Sequence, residues 1–167
     1  MSDGRPKLTL DDIVVAERPR QDVDRYVCEN HYLEGQPSPQ TIYRYVITGG
    51  MLHGWIGGAM WGKPVARMED QEDTLELLRF WTVDWTPKNT ESYALSRMIR
   101  DIKRKGTHSR LIAYASTGQE HDGGIYKATN WEAVGVRETN TGDGWGTREN
   151  RHNDDPSSKR KFEYVLE

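Results

Sequence analysis

Cysteine is nearly missing. The 167 residues hold one, Cys28, which excludes an intramolecular disulfide and any cysteine-based zinc cluster and points to a reducing, cytoplasmic setting. Long apolar runs are also lacking: nothing approaches the ~20 residues that cross a bilayer. The opening MSDGRPKLTLDD carries no apolar core of the kind a secretory leader has, so secretion and membrane spanning are disfavoured. Excess positive charge is absent as well. Lys+Arg 23 against Asp+Glu 26 gives a net charge of −3, so the whole chain is no electrostatic trap for nucleic acid, although cations clustered on one face still bind phosphates. The sequence has no Walker or G-x-G-x-x-G phosphate cradle and no G-x-S-x-G nucleophile elbow. Histidines 31, 53, 108, 121 and 152 show no H-x-x-x-H spacing, so any metal site must be assembled by folding.

What is present suffices for a folded core. Mean hydropathy is −0.87 and 29% of residues are charged, yet six Trp, eight Tyr and two Phe supply large rings to bury. The length fits one domain over 1–167, with a loose polar lead-in over 1–10 and a polar loop over 139–158. A helix is expected from about Arg20 to Asn30, delivering His31 and Tyr32 at its end. Thr41 to Thr48 alternates at period two, Gly49-Gly50 turns it, and Met51 to Trp61 reads as a glycine-rich partner strand. Thr74 to Val83 is a dense apolar run, expected as a central strand buried on both faces. Asn89-Thr90-Glu91-Ser92 then opens a helix that runs to about Lys105 and stops at Gly106. Arg110 to Ser116 is another buried strand, Gly124 to Trp131 a short helix, Val134 to Arg137 a strand, and Lys161 to Glu167 a closing strand. The fold class is therefore mixed α and β.

Two loops at strand ends stand out, because such loops carry function disproportionately. Asp84 to Ser92 leads into a helix N-terminus, where free N–H groups and the helix dipole can hold an anion. The plain structural reading of the same residues is an N-cap with Glu91 in the first turn. Ser116 to Tyr126 (STGQEHDGGIY) gathers Glu120, His121 and Asp122, and can equally be structural. The acidic run Glu69, Asp70, Glu72 and Asp73 reads as a solvated linker rather than a metal site. The basic helix end, Arg97, Arg100, Lys103, Arg104 and Lys105 against Asp101, fits a solvated face or a phosphate-facing one.

Read together, the two loops resemble the Mom family of phage DNA-modification proteins, whose fold is related to the GNAT acyltransferases. One matching block runs from Leu77-Leu78-Arg79 through Asp84 to Pro87-Lys88-Asn89-Thr90-Glu91-Ser92. The other joins Ala113-Tyr114-Ala115-Ser116, Gln119, Asp122-Gly123, Ile125-Tyr126-Lys127-Ala128, Trp131 and Gly135. With the His31-Tyr32 pair, order and approximate spacing hold over roughly residues 30–137. The resemblance implies a GNAT-like central mixed sheet, flanked by helices and splayed after the strand 74–83. It also implies transfer of a carbamoylmethyl group to the N6 amine of adenine in double-stranded DNA, which shields phage DNA from restriction.

Carried over residue by residue, an iron-binding and catalytic set falls on His31, Tyr32, Ser116 and Tyr126, and an acyl-coenzyme-A-like pocket on Arg79, Asn89 and Ser92. Ser116 departs from the family's usual Asp, and a neutral hydroxyl is a poor substitute for a carboxylate ligand. The glycine-rich pyrophosphate loop of ordinary GNAT enzymes is missing after Val83, which counts against tight coenzyme A binding. A metal-free version uses His31 as general base toward an amine and Tyr126 as general acid toward a leaving thiolate. Arg100, Lys103, Arg104 and Lys105 would then contact phosphates while the target base leaves the stack. Two alternatives stand beside this reading. One is a coenzyme-A-dependent N-acetyltransferase of a small amine or amino-modified base; the other is a catalytically inactive GNAT-like binding module.

Overall fold

A computed structural model of the chain describes residues 7–18, 23, 40–50, 54–66, 68–116, 124–137 and 159–166. After a single 3-10 turn, Leu10–Asp12, the strands are β1 (Val14–Glu17), β2 (Thr41–Thr48), β3 (Trp55–Gly62) and β4 (Thr74–Thr82). Helix α1 (Thr90–Lys105) leads to β5 (Arg110–Ser116), and the short α2 (Gly124–Ala128) to β6 (Glu132–Arg137) and β7 (Lys159–Val165). They form one seven-stranded sheet in the order β1-β2-β3-β4-β5-β7-β6. Only β4 and β5 pair in parallel, and α1 is the crossover that a parallel pair requires. Among the described residues no helix is long and apolar enough to cross a membrane.

The expected β2, β4, α1 and β5 appear within a residue of their predicted bounds. The hairpin differs, since β2 and β3 are joined through residues 49–54, with the Gly49 N–H donating to the Gly54 carbonyl at 2.9 Å, rather than by a two-residue turn. β3 consequently begins at Trp55 instead of Met51. Its glycines reflect close backbone approach: a Cβ at Gly62 would lie 2.2 Å from the Gln40 carbonyl oxygen, and one at Gly57 2.5 Å from that of Trp81. The helix expected over 20–30 lies outside the described residues apart from Val23, which is helical and packs with Val46 and Met60.

Helix α1 buries Ala94, Leu95, Met98, Ile99 and Ile102, the three-and-four spacing of a helix laid on a sheet. The face beneath holds Trp61, Leu75, Leu77, Leu111 and Phe162. Met60, Val46 and Leu78 belong to a separate cluster on the other face.

Two features open the sheet beside β4. The parallel ladder with β5 runs through Thr74↔Arg110, Leu75↔Leu111 and Glu76↔Ile112 and then stops, although β4 continues to Thr82 and β5 to Ser116. At the same level β4 carries a bulge: Trp61 pairs with Leu77 and Met60 with Arg79, leaving Leu78 as the extra residue. A bulge bends its strand and increases the local twist, which carries the last part of β4 away from β5. The splay expected after β4 thus begins halfway along it.

The acidic run corrects another expectation in part. Glu69 accepts hydrogen bonds from Arg110 Nη1 at 2.9 Å and from Lys161 Nζ, and Arg110 Nε donates to Glu163. Burial pushes the Glu69 carboxyl up, but the hydrogen bonds from Lys161 and Arg110 outweigh it and hold the group below its ordinary value. Glu69 is thus a fastening onto the start of β5 and onto β7, whereas Asp70, Glu72 and Asp73 are exposed, as a solvated linker requires.

Candidate functional site

The segment from β4 to α1 builds the most distinctive surface. Thr86 turns back on Val83, its N–H and Oγ1 reaching that carbonyl at 3.4 and 3.1 Å. Thr90 does the same toward Pro87, at 3.2 Å from its N–H and 2.6 Å from its Oγ1. Asn89 takes the N-cap position in the left-handed conformation, φ 70°, and its side chain makes no capping bond. This corrects the ordinary side-chain cap expected there. Its carbonyl accepts instead, from the Tyr93 N–H at 2.9 Å and from Ser92 Oγ at 3.1 Å. Thr82 Oγ1 donates to Glu91 at 3.0 Å, tying the end of β4 to the first helical turn. The N–H groups of that turn have no intrahelical partner, and the helix dipole adds partial positive charge there.

A cleft of about 230 Å³ opens against this turn. One wall is the segment from Thr86 to Ser92; the other is α2, through Gly124, Ile125 and Ala128. It can receive a polar group at the helix end, beside Glu91, which also lines it, with an apolar arm running toward Ile125.

The cleft brings together only part of the sequence-derived set. Asn89 and Ser92 line it. Arg79 does not, because the bulge at Leu78 shifts the alternation and sets Arg79 opposite Met60, and directly opposed residues share a face. Met60 belongs to the cluster away from α1. Tyr126 sits in α2 but faces the core: it is 8% exposed, stacks on Phe162 with centroids 4.9 Å apart and meets the edge of Trp131 at 5.2 Å. Ser116 ends β5 on the far side of the splay, paired with Lys159. His31 and Tyr32, with Glu120, His121 and Asp122, lie outside the described residues.

The basic residues of α1 divide. Lys105 is held by Glu17 and Asp101 and lies over the Tyr43 ring, 5.1 Å from its centroid; the Glu17 hydrogen bond pushes its ammonium above the ordinary value. Arg104 pairs with Asp101. Arg100 and Lys103 are exposed and make no ion pair among the described residues. At 1.5 Å per residue, Arg100 and Lys103 lie roughly 15–20 Å along the helix from the cleft end.

The residues implied for iron do not fit that role where the structure describes them. Position 116 offers a neutral hydroxyl in place of a carboxylate, the Tyr126 ring is packed among Trp131 and Phe162, and no group of three His, Cys, Asp or Glu side chains converges among the described residues. Sequence reading missed the Thr82–Glu91 tie and the aromatic cluster of Trp61, Tyr126, Trp131, Phe162 and Tyr164. The rings were visible as composition, but the cluster spans residues 61–164 and no local pattern announces it.

Solved structures agree on the architecture. The chain is similar to an IAA acetyltransferase from Bacillus cereus, with a TM-score of 0.65 at 12% identity over 92% of this chain and 99% of that one. It is also similar to an N-acetyltransferase from Staphylococcus aureus, TM-score 0.61 at 18% identity, covering 93% and 99%. Against a ribosomal-protein-S5-alanine acetyltransferase from Vibrio fischeri the TM-score is 0.55 at 10% identity; 75% of this chain is covered, and it spans 62% of that protein's length. The fold is that of the GNAT acetyltransferases. No curated protein matches the sequence. The model of the Mom protein family matches residues 12–164, and the chain belongs to that family.

Proposed function

We propose that this protein is a group-transfer enzyme that modifies a base amine in DNA, adding a carbamoylmethyl group to adenine N6. The observation that carries the reading is the cleft where α1 meets the splayed sheet, lined by Asn89 and Ser92 of the block that the family shares. The first turn of α1 borders the cleft and supports placing a donor's polar end there. An acyl-coenzyme-A-type donor would supply an activated acyl carbon, which joins an amine as an amide; a carbamoylmethyl group is bonded to N6 through its methylene and needs a donor activated at that carbon. Asn89 and Ser92 are the residues that would hold either donor.

On this reading His31 takes the proton of the acceptor amine. The adenine leaves the duplex stack, at a cost of a few kcal/mol that an aromatic platform offsets. Arg100 and Lys103 contact backbone phosphates; Arg104 and Lys105, already ion-paired, contribute less.

The test is to express the protein in bacteria carrying a plasmid, digest the plasmid to nucleosides and search by mass spectrometry for carbamoylmethyl-deoxyadenosine that vanishes with His31→Ala. Unmodified adenine from folded protein would overturn the reading. The helix end beside the cleft favours a second reading, a coenzyme-A-dependent N-acetyltransferase of a small amine or amino-modified base. Acetyl-coenzyme-A-dependent acetylation of such an amine, with DNA adenine inert, would establish it.

A further inference from the structure

Three residues that line the cleft carry hydroxyls, and each directs its proton to a backbone carbonyl, which can only accept. Thr86 Oγ1 donates to Val83 at 3.1 Å, Thr90 Oγ1 to Pro87 at 2.6 Å and Ser92 Oγ to Asn89 at 3.1 Å. The N–H groups of Thr86, Thr90 and Tyr93 go to the same three carbonyls. Thr90 is closed off at 1% exposed; Thr86 and Ser92 are partly exposed, and their hydroxyls have only lone pairs left to offer. Glu91 is the one ionisable residue among the described residues that line the cleft. Thr82 Oγ1 donates to its Oε1 at 3.0 Å, which leaves the second carboxylate oxygen for a ligand. Lys88 and Lys127, the cations of the two segments that form the walls, do not line it.

Charge then decides which kind of group the cleft takes. A helix start carries roughly +0.5 elementary charge, and the N–H groups of Glu91 and Ser92 have no intrahelical partner. The Glu91 carboxylate brings a full negative charge to the same turn, so the sum is negative. This set of groups does not fit the diphosphate of an acyl-coenzyme A, anionic on both phosphates and offering acceptors to acceptors. We infer that the cleft is a site for an N–H-bearing group, an ammonium or a primary amide, accepted by the Glu91 carboxylate and the hydroxyl oxygens beside it. The Asn89 side chain, which makes no capping bond, complements a primary amide donor to acceptor and acceptor to donor. The inference rests on the group-transfer reading and narrows it: a carbamoyl group ends in such an N–H pair.

The probes are glycinamide, with an ammonium at one end and a primary amide at the other, and inorganic pyrophosphate. In 15N spectra of wild-type protein, the backbone N–H signals of Glu91 and Ser92 should move saturably with glycinamide and stay with pyrophosphate. Methylammonium and acetamide, each keeping one end, then show which group is bound. Glu91→Gln keeps an acceptor for Thr82 and removes the charge. It should weaken glycinamide binding roughly five-fold, the gain of a charged over a neutral acceptor, and admit pyrophosphate. Pyrophosphate that moves the wild-type signals at lower concentration than glycinamide, glycinamide that leaves them in place, or equal glycinamide affinity in wild type and variant overturns the inference; the wild-type titrations decide it even if the variant folds poorly. Carbamoylmethyl-deoxyadenosine made in the plasmid assay by a protein whose cleft prefers pyrophosphate would sink the inference alone. A cleft that takes glycinamide in a protein that leaves adenine unmodified would sink the group-transfer reading alone.

Discussion

At its C-terminal end α1 finishes on Gly106, in the left-handed conformation, whose N–H reaches the carbonyls of Ile102 and Lys103. Around that end Asp101 accepts from Tyr45 and Arg104, Lys105 bridges to Glu17, and Tyr43 shares a hydrogen bond with Thr107. At its N-terminal end Asn89 is also left-handed, yet its side chain caps nothing, the Thr90 N–H turns back to the Pro87 carbonyl, and a cleft adjoins the turn. One helix thus has an end fastened by partners far along the chain and an end fastened only by near neighbours, beside a cleft. The difference teaches where to look for binding: the end that lacks distant partners is the one that borders open space.

The largest effect that would break this contrast is expected at Asp101. Asp101→Ala removes the acceptor of the buried Tyr45 hydroxyl together with two ion-pair partners, and should cost about 2 kcal/mol in urea unfolding. The cleft end should still bind its donor. Burial pushes the Asp101 carboxyl up, but hydrogen bonds from Tyr45 and Arg104 and the Lys105 charge hold it below its ordinary 3.8. The ionised form therefore favours the fold, fully so above the unfolded-state value, and that contribution is lost as pH falls through the lower folded-state value. Asp101→Asn should accordingly flatten the acid limb of a stability-against-pH curve below about pH 4; an unchanged limb would assign the acid sensitivity to Glu69 and Glu163, which Arg110 also holds low.

Asn89 sharpens the other side. With φ at 70° and no cap to lose, Asn89→Gly should leave thermal stability unchanged or slightly raised, whereas Asn89→Ala should cost about 1 kcal/mol through left-handed strain. Both should weaken donor binding several-fold in calorimetry if the amide faces the ligand, and equal donor affinities in wild type and both variants would remove Asn89 from the site. A smaller effect is expected along the helix. Arg100→Ala and Lys103→Ala should each lower the salt dependence of DNA binding by about one unit of slope, while Arg104→Ala, whose side chain is paired with Asp101, should change it less. Equal slopes for all three would count against a phosphate role for this face. Smallest is Ser92→Ala: stability should shift by less than about 0.5 kcal/mol, with a modest loss of donor affinity.

Much of the architecture was legible in the chain order of residues. Period-two alternation marks Thr41–Thr48, the dense apolar run marks Thr74–Thr82, and Gly106 ends α1 because glycine takes the left-handed conformation without a Cβ clash. The Leu77 to Ser92 and Ala113 to Gly135 blocks identify the family, and Asn89 and Ser92 follow from them to the cleft. Other features depend on partners distant in sequence. Glu69 read as solvated because Arg110 and Lys161 are far along the chain. Strict alternation from Leu75 and Leu77 would have set Arg79 toward α1, but the extra residue at Leu78 reverses the face.

By itself, then, the sequence determined most of the described local elements, the glycine stop of α1 and the family, because periodicity and turn chemistry act over a few neighbouring residues. Only the tertiary structure decided that β7 enters between β5 and β6, that the sheet opens beyond Glu76 and Ile112, and that Tyr126 packs inward against Trp131 and Phe162. The reason is physical: strand order, bulge register and the burial of a ring are set by which distant side chains share one core, and no short stretch of sequence records its own partners.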